Sequence, residues 1–256
     1  MKKTFIALLL FIIIGFTFQD SYSQTVRYTY TRPSWTIGFG PVWNLATNDA
    51  YGRANYSETS TILRDNYGMR WGWGGYLFGK YGPGKKKNDR IFLGVDYKGM
   101  TNSDFEGSDA NKTHYDFITI DAGYEFLFYG TYKFRSYYGA GLTGNIIKGE
   151  YTPLFPNDVN KALTFESTFR LGFELKAGLE FIFNSRKRNF GLNVGAKYNL
   201  TNLFNDDNAT ASLGQTQNLN LNDGKDSRAG FKRYIGIVSI DVGLNIYPDV
   251  KRVVRK

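Results

Sequence analysis

The chain has 256 residues, a formal net charge of +9, 42% hydrophobic and 17% aromatic side chains, 29 glycines, one histidine and no cysteine. Without thiols it forms no disulfide, thiolate nucleophile or lipid-modified N-terminal cysteine, and one histidine excludes a multi-histidine metal site. After the first two dozen residues no apolar run approaches the roughly 20 needed for a membrane helix, so a membrane-spanning form of this chain must be a closed barrel with no open strand edge.

Lys2 and Lys3 precede an apolar run from Phe5 to Phe18 and the small-residue pattern Ser21-Tyr22-Ser23. This order predicts a secretory signal peptide over 1–23 with cleavage before Gln24. No linker or change in composition divides 24–256, so a single domain is expected.

Period-two alternation then recurs along the chain. Trp35, Ile37 and Phe39 before Pro41 mark a first strand, and Met69 to Tyr81, with Trp71, Trp73 and Leu77, a second. The third sets Ile91, Leu93, Val95 and Tyr97 against Phe92, Gly94, Asp96 and Lys98. In the fourth, Ile118, Ile120, Ala122, Tyr124, Phe126 and Phe128 alternate with Thr119, Asp121, Gly123 and Glu125, and in the fifth Tyr138, Ala140, Leu142 and Ile146 with Gly139, Gly141, Thr143 and Asn145. The sixth is the clearest, with Phe169, Leu171, Phe173, Leu175, Ala177, Leu179, Phe181 and Phe183 on one parity and Arg170, Gly172, Glu174, Lys176, Gly178 and Glu180 on the other. Phe190, Leu192, Val194, Ala196 and Tyr198 carry the seventh; Val238, Ile240, Val242, Leu244 and Ile246 carry the eighth.

Long polar connections are expected over about 45–68, 101–113, 148–163 and 201–232, alternating with short ones over 82–89, 130–134 and 184–189. That is the asymmetry of long external loops and short periplasmic turns. Aromatics on the apolar parity gather toward the strand ends: Trp35, Phe126, Phe128, Tyr138, Phe181, Phe183 and Phe190 at the turns, with Trp71, Tyr97, Tyr198 and Tyr234 at the loops. Such girdles sit at headgroup level. A soluble lipocalin-type barrel would have to turn the apolar parity inward, and eight strands enclose too little space for so many Phe, Leu, Tyr and Trp side chains. The expected fold is therefore all-β, an eight-stranded antiparallel up-and-down transmembrane β-barrel with strands over about 34–247 and a basic tail, 248–256.

With this strand pattern and loop asymmetry, residues 34 to 247 resemble the small outer-membrane barrels of the OmpA/OmpX type and the PorT-like barrel proteins of Gram-negative-type envelopes. The last strand ends near Tyr247 instead of on a terminal aromatic, and Pro248–Lys256 is too short for a peptidoglycan-binding domain. The resemblance implies an outer-membrane location and, through the PorT-like proteins, a role as an accessory subunit of a secretion or assembly complex.

Charge is distributed unevenly. Lys85, Lys86, Lys87 and Arg90 flank the first turn, Lys133 and Arg135 the second, Arg186, Lys187 and Arg188 the third, and Lys251, Arg252, Arg255 and Lys256 lie in the tail. These positions predict a basic periplasmic rim facing anionic lipid or an acidic protein partner. Nucleic-acid binding is not expected, because the aromatics lie on the membrane parity. The polar parity carries Asp96, Asp121, Glu125, Glu174, Glu180 and Asp241 against Lys98, Arg170, Lys176 and Lys197, which predicts a salt-bridged lumen plug, since buried charges must be paired. Lys197 is expected opposite Glu174, because opposition to Lys176 would set like charges face to face. His114, beside Tyr115 and Asp116, has no local nucleophile signature, and Asn220 to Asp226 lacks calcium-loop spacing and is expected to be a solvated loop. No catalytic residue, cofactor or metal is predicted. The functional expectation is a non-enzymatic barrel with a surface-binding or envelope-integrity role; an accessory subunit and, through His114 alone, a lipid-modifying enzyme are the alternatives.

Overall fold

In the computed structural model the described residues are 28–52, 66–83, 87–102, 111–130, 134–153, 163–183, 189–207, 218–219, 221–225 and 231–254. The signal segment 1–23 lies outside them. The short strands Tyr28–Tyr30 and Arg252–Val254 pair in a separate two-stranded sheet. The unit Tyr30–Lys251 contains the barrel.

Its strands are β1 (Trp35–Asn48), β2 (Trp71–Tyr81), β3 (Asp89–Thr101), β4 (Asn111–Gly130), β5 (Phe134–Pro153), β6 (Leu163–Ile182), β7 (Phe190–Phe204) and β8 (Ile235–Ile246). Each pairs antiparallel with its neighbours in the chain, and β8 returns to β1 from Ile235↔Asn48 to Ile246↔Ile37. The sheet is therefore closed, and the expected eight-stranded up-and-down barrel is what the chain forms.

The outward parity is apolar. Trp73, Leu93 and Leu142 are 60%, 61% and 69% exposed, and Ile37, Leu77, Ile120, Leu175, Val242 and Leu244 join them in a band around the wall. A soluble monomer does not expose an apolar surface of that extent. Along β4 the band runs from Ile118 to Phe128, and ten residues at about 3.3 Å each, tilted about 40°, give about 25 Å, the height of a membrane barrel's apolar belt. Trp35 packs on Tyr81 at 4.6 Å between ring centroids, Phe126 on Tyr138 at 5.6 Å and Phe134 on Phe181 at 5.2 Å, forming the turn-end girdle. All four tryptophans, Trp35, Trp43, Trp71 and Trp73, lie on the outward parity of the adjacent strands β1 and β2, with Trp43 directly opposite Trp73.

Three strands are longer than the sequence pattern suggests. β4, β5 and β6 have 20 residues each, against 11 to 15 in the others, so residues 111–113 and 148–153, expected in polar connections, are strand, paired from Asn111↔Pro153 and Tyr151↔Leu163. Above Ile118 the alternation continues with its polarity exchanged. His114 and Lys148 face outward, while Tyr115, Phe117, Ile147 and Tyr151 turn inward and are buried. With Ala46, Met69, Met100, Phe165, Leu221, Ile235 and Ile237 they form an apolar core inside the loop end of the barrel. This end has the polarity of a soluble protein because water lies outside it.

Two inward glycines leave room for larger lumen groups. A Cβ on Gly94 would stand 2.2 Å from the Asp121 carboxylate, and one on Gly178 would stand 2.5 Å from the Tyr137 hydroxyl.

Candidate functional site: the charged lumen

Inside the membrane-level wall the inward side chains form layers. At the turn end, Lys80 on β2 and Arg90 on β3 meet Glu125 on β4 and Glu180 on β6, all with side chains at most 2% exposed. The Lys80 ammonium lies 2.9 Å from Glu125 and 3.3 Å from Glu180. Arg90 donates to Glu180 at 2.9 Å and to Glu125, and its Nη2 also lies 2.8 Å from the second Glu180 oxygen. Two cations thus share two anions, which makes burial of all four tolerable. The ring of Tyr137 lies 4.1 Å from the Lys80 ammonium and closes one side. Neither Lys80 nor Arg90 was expected here: Arg90 reads as part of the basic first turn, yet it shares a face with Phe92, Gly94 and Asp96. For Lys80 the available signal was parity with Tyr76 and Phe78.

The next layer holds Asp96, Lys98, Asp121, Glu174, Lys176, Lys197 and Asp241. Asp96 pairs with Lys197 and lies 3.4 Å from Lys98, while Lys176 lies 3.6 Å from Asp121 and 3.5 Å from Glu174. Asp241 accepts from Asn193 at 2.6 Å, and Asn193 accepts from Tyr137 at 3.1 Å. The register differs from expectation, since Lys176 stands directly opposite Lys197 and Glu174 opposite Asn199. The physical reason lies across the lumen, where β3 and β4 supply Asp96 to one ammonium and Asp121 to the other. A cavity of about 20 Å³ lined by Tyr76, Phe78, Asp96, Asp121, Tyr137 and Lys197 among others remains, room for about one water.

A neutral polar layer follows. Lys98 donates to Thr119 at 2.9 Å, Thr119 to Asn145 at 2.9 Å, and Asn145 to the Thr201 carbonyl at 2.8 Å; Ser239 donates to Asn44 at 2.7 Å. Above it, Arg170 grips Asp223 with Nε at 3.0 Å and Nη2 at 2.8 Å, and Asp223 also accepts from Asn202 at 2.7 Å and from the Asp207 amide at 3.0 Å. Arg233 donates to the carbonyls of Leu221 and Asn222 and lies over the Tyr67 ring. The stretch expected as a solvated loop therefore contains a buried latch, because Asp223 is the acid that Arg170 requires; Asn220 and Asp226 lie outside the described residues.

Of the basic rim, Lys85, Lys86, Arg186, Lys187 and Arg188 lie outside the described residues. Arg252 begins the short C-terminal strand, and Lys251 is exposed, its amide donating to Thr31 at 2.8 Å. Lys87 is half-buried, donating to the Ser34 hydroxyl and lying 3.9 Å from Asp249. Asp249 accepts from the amides of Ser34 at 2.7 Å and Trp35 at 3.2 Å. Partial burial would raise the Asp249 carboxyl, but the Ser34 and Trp35 hydrogen bonds and the Lys87 charge outweigh it and hold the group below the usual aspartate range. His114 is half-exposed on the outer face, 3.4 Å from Asp116, which also accepts from the Tyr97 hydroxyl. The hydroxyl opposite it in register, Thr101, is engaged with the Thr113 carbonyl at 3.0 Å.

A closed antiparallel barrel with an apolar outer belt and a lumen filled by paired charges defines the chain as a transmembrane β-barrel. No protein-family profile and no curated protein matches the sequence. Among solved structures, Neisserial surface protein A is similar at 11% identity over 86% of this chain and 99% of that one, with a TM-score of 0.47. Ail, the attachment invasion locus protein of Yersinia pestis, has 13% identity over 84% and 100%, with a TM-score of 0.42. The outer membrane protein OprG from Pseudomonas aeruginosa has 9% identity over 88% and 99%, with a TM-score of 0.43.

Proposed function

We propose that the chain is exported by its signal segment and resides in the outer membrane, where it works without catalysis as a closed barrel with a surface-binding or envelope-integrity role. The observation that carries this reading is the packed lumen: among the described residues, interlocking layers of ion pairs, amides and apolar side chains enclose, at the level of Asp96 and Asp121, a cavity with room for about one water. A solute path would require breaking buried ion pairs, each costly to separate. The wall's partner is outer-membrane lipid. Nucleic acid does not fit, because the exposed aromatics form the lipid belt and many of the basic groups are already paired inside. Purified protein in a planar bilayer is expected to show no large, steady conductance, and reproducible channels that pass sugars would replace this reading with a diffusion pore.

A second reading, an accessory subunit of an outer-membrane secretion or assembly complex, is favoured by the turn end, where positive charge outweighs the acids that could pair with it. Affinity purification from native membranes tests it. A stoichiometric periplasmic or envelope protein is the expected companion, and recovery of the barrel alone would sink the idea.

A further inference from the structure

Arg135, the second residue of β5, lies on the inward face at the turn end of the lumen and is only 7% exposed. A guanidinium has five N–H donors, cannot be deprotonated in a protein and is costly to bury alone. Yet among the described residues no carboxylate oxygen lies within 4.0 Å of it and no acceptor takes its hydrogen bonds. Glu180, opposite it in register, is already shared by Lys80 and Arg90. Of the other acids at this end, Asp249 holds the amides of Ser34 and Trp35, and Asp89 is engaged by the Tyr124 hydroxyl on the outer wall. The connecting stretches 82–88, 131–133 and 183–189 contain no Asp or Glu.

What surrounds Arg135 accentuates the deficit. Arg32, which donates to Asn88 at 3.0 Å, is near enough to repel it, and the Tyr247 hydroxyl is also within electrostatic reach. That hydroxyl accepts from Asn245 at 3.3 Å and keeps its own proton to donate. The Arg135 guanidinium and the Tyr247 hydroxyl can both give hydrogen bonds to an anion, and among the described residues Glu180, the acid within electrostatic reach of Arg135, is already divided between Lys80 and Arg90.

We infer that this mouth is an oxyanion site in which the Arg135 guanidinium, supported by Arg32 and Tyr247, receives a side-chain carboxylate from an acidic peptide segment of a periplasmic partner. The planar fork of arginine matches a carboxylate with two parallel hydrogen bonds. A phospholipid headgroup is the poorer occupant, because the barrel wall separates the inward-facing Arg135 from the bilayer. The inference rests on the accessory-subunit reading and adds to it the residue and the chemistry of docking.

The test is a titration of the purified full barrel in neutral-lipid nanodiscs, following the Arg135 Nε–H signal by NMR. Tetraglutamate peptide is expected to move it saturably, at concentrations at least tenfold below those needed with inorganic phosphate. Arg135→Gln should abolish the response and Lys87→Gln should preserve it. No shift with either probe would overturn the site, a shift with phosphate alone would overturn the carboxylate, and equal loss in Lys87→Gln would reduce the effect to general rim attraction. Arg135→Gln should leave the temperature of the unfolding band shift unchanged or raised, since no partner is orphaned. A fall of several degrees would make Arg135 a structural partner of Glu180 and refute the proposal. A barrel recovered alone from native membranes would end the partner reading while leaving the titration result standing, so the two failures are separable.

Discussion

Between β6 and β7 the side chains of Lys176 and Lys197 occupy opposed positions on one face, an arrangement that would be repulsive in an isolated sheet. Inside a narrow barrel a side chain meets more than its lateral neighbours, and Asp96 and Asp121 reach the two ammonium groups from the facing wall. Asp96 serves both Lys98 and Lys197, so Asp96→Asn leaves two buried cations short of an anion and restores the repulsion between Lys197 and Lys176. The expected cost is about 3–5 kcal/mol, read as a lower urea midpoint for loss of the compact, unboiled gel band. A loss below about 1 kcal/mol would mean that Lys197 turns to Glu174 and that Asp96 is dispensable. Arg90 and Lys80 carry the same lesson: one residue in from a basic turn, parity alone separates a lumen group from a rim group.

At the scale of the strand, the membrane-level segments were legible because their outward parity is apolar, least cleanly in β1 and β2, and the eighth strand closes on the first. The upper parts of β4, β5 and β6 were not legible by the same rule. From Phe117 upward the buried face is the one that carries Asp121 and Glu125 lower down, so following apolar residues on the outward parity loses the strand where water replaces lipid. The Arg170 and Asp223 pair was hidden for a different reason, since its two members are 53 positions apart and no local spacing links them. The ends of β1 and β8 are joined outside the lipid by Asp249, and this contact should depend on pH. Its carboxyl is held below the unfolded value, about 3.9, so its contribution is complete above that value and is lost as pH falls through the lower folded one. The amide proton signals of Ser34 and Trp35 are expected to be steady from pH 7 to 5 and to move together on acidification with a midpoint below about 3.9. Asp249→Asn should remove the transition. A midpoint above the unfolded value would contradict the hydrogen-bonding described.

For the molecule as a whole, the barrel is zoned by height and by side: charge within and hydrocarbon without at lipid level, then apolar core within and polar groups without above it. The tryptophans sample one sector of this plan, since all four occupy the outer wall of β1 and β2 and none enters the lumen. The native protein is therefore its own optical ruler. In bilayers of brominated lipids its intrinsic emission should be quenched strongly, with bromines near the middle of the acyl chain most effective against Trp43 and Trp73 and shallower ones against Trp35. Replacing Trp43 and Trp73 together by Phe should shift the depth of maximum quenching toward the headgroups. Emission unaffected by bromine at any depth would place β1 and β2 out of the lipid. Because the signal comes from one side of the cylinder, the same measurement reports contact: a partner or a second copy that docks on this sector would shield all four indoles together, whereas one that docks on β5 and β6 would leave their emission unchanged.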